Sequence, residues 1–184
     1  AFANKGVYSK PIAITKIEDR YGNTIREYSS AQYEVLSEET AYLMTNLMQT
    51  VMDRGTGGSA RWKYNFTRPA AGKTGTTQGW SDAWFVGFTP QLATGVWYGV
   101  DDYQVSLGKG QDGSKAALPS WAQFMRDSHK ILELPRMNFQ KPNGIVVSEI
   151  CSVSKMASRK ACPIEKEVYK DGTEPSQKCR IHRN

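Results

Sequence analysis

Two apolar runs, Ala83 to Phe88 (A-W-F-V-G-F) and Leu92 to Val100 (L-A-T-G-V-W-Y-G-V), are separated only by Thr89-Pro90-Gln91. Runs of this length, rich in aromatic and β-branched residues, read as strands, and so short a connection permits only a tight antiparallel hairpin. Such a sheet needs a cover. Lys115 to about Leu132 offers one, because Trp121, Phe124, Met125, Ser128 and Leu132 recur at helical spacing and Pro119 falls near the first turn. Ala93, Gly95 and Gly99 share a strand face with Trp97, so the helix is expected on that face, where absent Cβ atoms allow close approach.

The remaining segments fit around this unit. Ser37-Glu38-Glu39 opens a helix that Arg54-Gly55 closes: the serine caps, and the two glutamates meet the positive end of the helix dipole. Ala41, Met44, Leu47, Met48 and Val51 form its expected apolar stripe, and Met44, Met48 and Met52 read as core filler. Val7 to Ile17 alternates from Ile12 onward and turns through E-D-R-Y-G-N into T-I-R-E-Y, a hairpin whose first strand Pro11 confines to an edge. Ile145 to Ile150 reads as a short strand. Beyond Cys151 the chain becomes Lys-rich and irregular, so the expected organisation is a domain over 1–150 and a basic, Cys-containing extension over 151–184.

The net charge of +6 raises the question of a nucleic-acid partner. Residues 1–150 carry 16 basic and 14 acidic side chains, whereas residues 151–184 carry 8 and 4, so the excess sits mostly in the tail. With no arginine-rich helix and no interleaving of aromatic and basic residues, that tail reads as a solvated face, and no nucleic-acid partner is expected. No run of about 18 apolar residues occurs and the first residues do not resemble a signal peptide, so any export signal or anchor is expected outside this chain.

The candidate site precedes the hairpin. Arg68 to Thr77 reads R-P-A-A-G-K-T-G-T-T, which puts the Lys73 charge, the Thr74, Thr76 and Thr77 hydroxyls and the bare backbone of Gly75 on one short segment suited to an anion or an acyl group. A phosphate loop is the first competitor, but its leading glycine would fall at Thr67, and G-T-T-Q-G-W-S-D is a poor helix start. Gly108 to Gly113 is a literal G-x-G-x-x-G, yet seven residues separate Gly108 from Val100 where a dinucleotide fingerprint wants an immediate turn. Ser106-Leu-Gly-Lys109 and Ser152-Val-Ser-Lys155 match S-x-x-K in letters only, one in a glycine loop and one in the tail. His129 reads as a partly exposed structural residue. Cys151, Cys162, Cys179 and His182 admit a disulfide, free thiols or a Cys3His zinc set; because C-x10-C lacks knuckle spacing, the expectation is a Cys151–Cys162 disulfide in an oxidising compartment, with no metal and no cofactor.

Taken together, F-A-N-K-G-V-Y-S-K-P, I-T-K-I-E-D-R-Y-G, L-S-E-E-T-A-Y-L-M, G-K-T-G-T-T, S-D-A-W-F-V-G-F-T-P, S-L-G-K-G…A-A-L-P-S-W and the tail pieces A-C-P-I-E and G-T-E-P-S-Q-K-C resemble, in order and spacing, the C-terminal half of the transpeptidase domain of class A, bifunctional penicillin-binding proteins. The resemblance implies an α/β fold of α+β type: an antiparallel sheet flanked by helices, as in serine β-lactamases, incomplete in this chain. It implies a serine D,D-transpeptidase that cross-links peptidoglycan stem peptides through an acyl-enzyme and is acylated by β-lactams. It places the protein on the extracytoplasmic face of the bacterial membrane. S-x-x-K with the nucleophile and S-x-N precede K-T-G in the family, so they are expected in an N-terminal part of the same protein, as are the glycosyltransferase domain and the anchor. Lys73, Thr74, Gly75 and Thr76 are the implied substrate-binding residues, with Lys73 and the Thr76 backbone N–H in catalytic roles and Trp80 to Trp84 near the rim. A non-catalytic module that binds cell-wall peptide or a partner is the alternative.

Overall fold

The computed structural model describes residues 1–102 and 104–182. The chain opens with two nested antiparallel ladders: β1 (Val7–Ser9) pairs with β4 (Gln32–Glu34), and between them β2 (Lys16–Glu18) pairs with β3 (Thr24–Glu27). The inner turn is made by Asp19, whose carboxylate accepts from the N–H groups of Tyr21 and Asn23 at 2.8 and 2.9 Å, while Gly22 takes the left-handed conformation. The alternation from Ile12 to Ile17 does not mark a buried face. Ile12 and Ile14 lie in the connection ahead of β2, and both are exposed, as is Ile17.

α1 (Glu38–Arg54) starts and stops where its caps dictate: Ser37 Oγ accepts from the Thr40 N–H at 3.3 Å, and the Gly55 N–H returns to Val51 O at 3.2 Å. Its buried residues are Ala41, Thr45 and Met52, and Thr45 hides its hydroxyl by donating to Ala41 O at 2.8 Å. The expected stripe is therefore rotated. Met44 and Leu47 are exposed, whereas Met52 joins the core.

After the short α2 (Ser59–Trp62) come β5 (Ala71–Thr76), β6 (Asp82–Phe88) and β7 (Ala93–Gly99), an antiparallel sheet in that order. Thr89 builds the expected β6–β7 turn: its N–H donates to Leu92 O at 2.8 Å, and its hydroxyl accepts from the N–H groups of Gln91 and Leu92 at 3.2 Å. α3 (Leu118–Ile131) covers the sheet, led in by one π-type turn over Gly113–Ala117 that Asp112 caps. Trp121 is the centre of the packing, edge-on to Phe66 and Phe85 with ring centroids 5.2 and 4.9 Å away, its Nε1–H donating to Gly87 O and Thr94 O. Each large apolar side chain buried here contributes about 1.5–3 kcal/mol.

The covered face of β7 differs from the expected one. α3 lies on the Phe85, Thr94 and Val96 side, and the glycine that admits it is Gly87, where a Cβ would stand 2.7 Å from the Trp121 ring. Gly95, Trp97 and Gly99 look the other way. His129, expected to be partly exposed, is fully buried, its Nδ1 donating to Met125 O at 2.7 Å and its Nε2 facing Thr89 Oγ1 at 3.0 Å.

The segment beyond Cys151 is not irregular either. β8 (Ile145–Cys151) pairs along its whole length with β9 (Ile164–Lys170), so the division expected at residue 150 falls inside a hairpin. Among the described residues no helix is long and apolar enough to cross a membrane.

Candidate functional site

The approach to β5 is pinned before the strand begins. Arg68 donates to Leu134 O at 2.7 Å and Pro135 O at 2.8 Å, just past the end of α3, and Ala70 and Ala71 are fully buried. At Gly72 a Cβ would stand 2.8 Å from the Phe85 ring, so only glycine fits. The strand then emerges: Lys73 and Thr76 are exposed, and Thr74 and Gly75 are half-buried.

β5 is an edge of its sheet. The Thr77 N–H donates to Asp82 O at 3.1 Å, and hydrogen-bonded pairs alternate along an antiparallel ladder, so residues 75 and 73 bond to β6 while the N–H and C=O groups of Thr74 and Thr76 point to the free edge. Lys73 Nζ curls over that edge, donating to Thr74 O at 2.9 Å. The Thr74 hydroxyl meets Thr56 Oγ1, on the loop after α1, at 3.0 Å, and Thr76 Oγ1 accepts from the Gly113 N–H at 3.1 Å. Gly113 presses on the Gly75–Trp84 pair so closely that a Cβ there would stand 2.2 Å from Trp84 O. The start of the α3 unit is thus a fixed wall behind Gly75.

The opposite face of the sheet is covered at Ala71 and Phe88 but open among the described residues around Lys73 and Gly75. Directly paired residues share a face, so Lys73 and Gly75 stand with Val86, Trp84, Gly95 and Trp97. Trp84, Val86 and Trp97 are 45%, 52% and 44% exposed, and the two indole centroids lie 6.2 Å apart. A Cβ on Gly75 would project onto this face, 3.2 Å from Trp84 Cβ. Beyond the strand, Asp82 accepts from Trp97 Nε1 at 2.9 Å, from Ser81 Oγ at 3.0 Å and from Thr77 Oγ1, and these hydrogen bonds, that from Trp97 foremost, hold its carboxyl below the usual carboxylate range. The turn over residues 77–81 is fixed in its turn by Ser106 Oγ donating to Gly79 O at 2.6 Å and by the Leu107 N–H donating to Trp80 O at 2.7 Å.

Neither S-x-x-K match opens a helix: Ser106 lies in the loop between β7 and the Gly113–Ala117 turn, and Ser152 in the turn after β8. Gly72 and Lys73 lie within a strand, and Gly108 and Gly110 lie in a loop with positive φ, so the phosphate-loop and dinucleotide readings have no geometry to support them. The Cys151–Cys162 disulfide is not formed. All three cysteines are free thiols, and the β8–β9 register and the Ala157–Lys178 bridge carry Cys151, Cys162 and Cys179 to a common point beside His182. C-x10-C conceals this in the sequence, since the four residues are gathered by strand pairing; the one local signal was C-x2-H at Cys179 and His182.

Residues 1–126 match the family model of the penicillin-binding protein transpeptidase domain, and residues 141–184 match that of the penicillin-binding protein 1A C-terminal domain. The chain is 36% identical to penicillin-binding protein 1A of Clostridium tetani over 98% of its own length, and it spans 23% of that relative. A crystal structure of penicillin-binding protein 1A from Haemophilus influenzae superposes with a TM-score of 0.87 at 25% identity, covering 97% of this chain and 31% of that one. The PonA1 protein from Mycobacterium tuberculosis in complex with penicillin V is similar over 77% of this chain and 38% of its own, at 29% identity and a TM-score of 0.56.

Proposed function

Because the chain belongs to the penicillin-binding protein transpeptidase family, we propose that β5 forms one wall of a serine D,D-transpeptidase site, completed by a preceding part of the same protein that carries S-x-x-K with the nucleophile and S-x-N. The observation that carries this reading is the edge position of β5, with Lys73 exposed beside outward-pointing N–H groups at Thr74 and Thr76 and an open patch of Trp84, Val86 and Trp97 on the face it shares. An acyl donor laid along that edge meets donors and positive charge at its carbonyl and its terminal carboxylate.

In this reading the serine hydroxyl attacks the carbonyl carbon of the penultimate residue of a stem peptide ending in D-alanyl-D-alanine. The C–N bond breaks and D-alanine leaves with the proton. An amine from a neighbouring stem then attacks the ester and returns the serine to its hydroxyl form. Lys73 supplies positive potential for the terminal carboxylate and for the proton shuttle, and the Thr74 and Thr76 hydroxyls bind that carboxylate. The Thr76 N–H is one oxyanion donor and the serine N–H is the other. Gly75 leaves room for the substrate backbone. β-Lactams acylate the same serine and stall there, and the reaction takes place on the extracytoplasmic side of the membrane. No cofactor is needed for any of these steps.

Covalent labelling of the full-length protein with a fluorescent penicillin tests the assignment. Lys73→Ala is expected to slow labelling by about 10²–10³-fold, as for the loss of one preorganised electrostatic donor. Unchanged labelling would sink the role given to Lys73. A full-length protein that holds stem peptide but takes no penicillin would instead be the non-catalytic binding module.

A further inference from the structure

We infer that Cys151, Cys162, Cys179 and His182 form a closed, tetrahedral structural zinc site that staples the C-terminal hairpin. Their ligand atoms all lie within 4.8 Å of one another. Cys151 Sγ and Cys179 Sγ stand 3.5 and 3.4 Å from His182 Nδ1. Bonds of about 2.3 Å to sulfur and about 2.0–2.1 Å to nitrogen, opened to the tetrahedral angle, put a sulfur and a nitrogen ligand about 3.6 Å apart. The imidazole is therefore already at ligating distance from two sulfurs, on the side of each that faces the common centre.

The donor set chooses the ion. Three soft thiols and one imidazole suit zinc and suit the hard cations poorly, and four protein ligands leave no open position for a reacting water. Backbone groups are arranged for charged sulfur: the Ser154 N–H points at Cys151 Sγ at 3.5 Å and the Arg159 N–H at Cys162 Sγ at 3.2 Å. Binding Zn²⁺ releases three thiol protons and leaves a centre of net charge −1, within a segment, 151–184, that carries 8 basic and 4 acidic residues.

The surroundings need such a staple. Among the described residues beyond 144, the buried apolar side chains are Ile145, Ile150 and the three clustered cysteines, while Val147, Val153, Ile164 and Ile181 are exposed. The hairpin rests on α1, and with so small an apolar core of its own it gains from a metal that ties its turn together. One disulfide here would use two of the three thiols and leave the third beside His182 with no partner to close the centre.

The test is to isolate the full-length protein without added reductant or chelator and measure its metal content by elemental analysis and its mass under native and denaturing conditions. One zinc per chain, lost in Cys179→Ser and in His182→Ala but kept in His182→Cys, is the expected result. Exchange of the zinc for Co²⁺ should give the intense visible bands of a tetrahedral thiolate site. Zinc-free protein whose denatured mass is short by two hydrogens is a disulfide and overturns the proposal, as does zinc content unmoved by either ligand substitution. Because the readout is metal content and optical spectrum, failure here leaves the penicillin-labelling result untouched, and the reverse holds.

Discussion

The sheet under α3 and the C-terminal hairpin are both antiparallel, yet they are held together by different means. The first is organised by volume: Trp121 sits between Phe66 and Phe85, and Gly72, Gly87 and Gly113 allow backbones and rings to approach more closely than a Cβ would permit. The second has no aromatic ring in its buried cluster, which beside the buried Ile145 and Ile150 consists of the three cysteines. A volume-packed region places a strand to within a few tenths of an ångström, which a catalytic wall requires. A ligand-held region needs only four atoms in position and tolerates a polar, Lys-rich exterior. In the reading proposed above, the residues given to acyl transfer lie on β5, in the volume-packed region.

If the two regions are stabilised independently, Trp121→Ala should divide them. Removing that side chain is expected to cost about 3–5 kcal/mol, the range for emptying a large aromatic site in a core. Hydrogen exchange should then show β5, β6 and β7 losing protection while amides along β8 and β9 keep theirs. Both regions losing protection together would mean that α3 also supports the hairpin and that the contrast is only apparent.

Gly113→Ala addresses the first region at the site itself. Its Cβ would meet Trp84 O at 2.2 Å and Gly75 O at 2.8 Å, so the π-type turn must move off the β5–β6 ladder. Overpacking of this kind costs about 1–3 kcal/mol. The global stability should fall by less than in Trp121→Ala, while penicillin labelling of the full-length protein should fall disproportionately, because the displaced backbone is the one behind Gly75. Labelling that tracks stability alone would remove Gly113 from the positioning of β5.

These contrasts also account for what the sequence revealed. α1 and the β6–β7 turn were legible because their signals are local: Ser37 caps its own helix, and Thr89 bonds to residues two and three positions on. The choice of face was not. Gly95 and Gly99 point to a close approach in the sequence, but the approach occurs at Gly87, and only the Trp121 ring, 34 residues away, decides between them. β9 was missed because I-E-K-E-V-Y-K places charge on most of its positions, and its partner strand lies across a long turn. Lys73 to Thr76 stood out by residue type, whereas the free edge that gives their N–H groups a use follows from strand order, which no local pattern encodes.

The smallest expected effect lies at the rim of the open face. Asp82 anchors Trp97 and the Thr77–Ser81 turn, and those hydrogen bonds, that from Trp97 first, lower its pKa. A carboxyl whose folded pKa is lowered contributes stability that is fully present above its unfolded pKa and is lost as pH falls through the folded value. Asp82→Asn should therefore be slightly less stable than the parent at neutral pH, and the gap should close on the acid side of the ordinary carboxylate range. Denaturant midpoints measured from neutral to strongly acid pH provide the check. A gap that persists at the acid end would mean that Asp82 holds Trp97 by shape and not by charge, and the open face would then keep its rim at every pH.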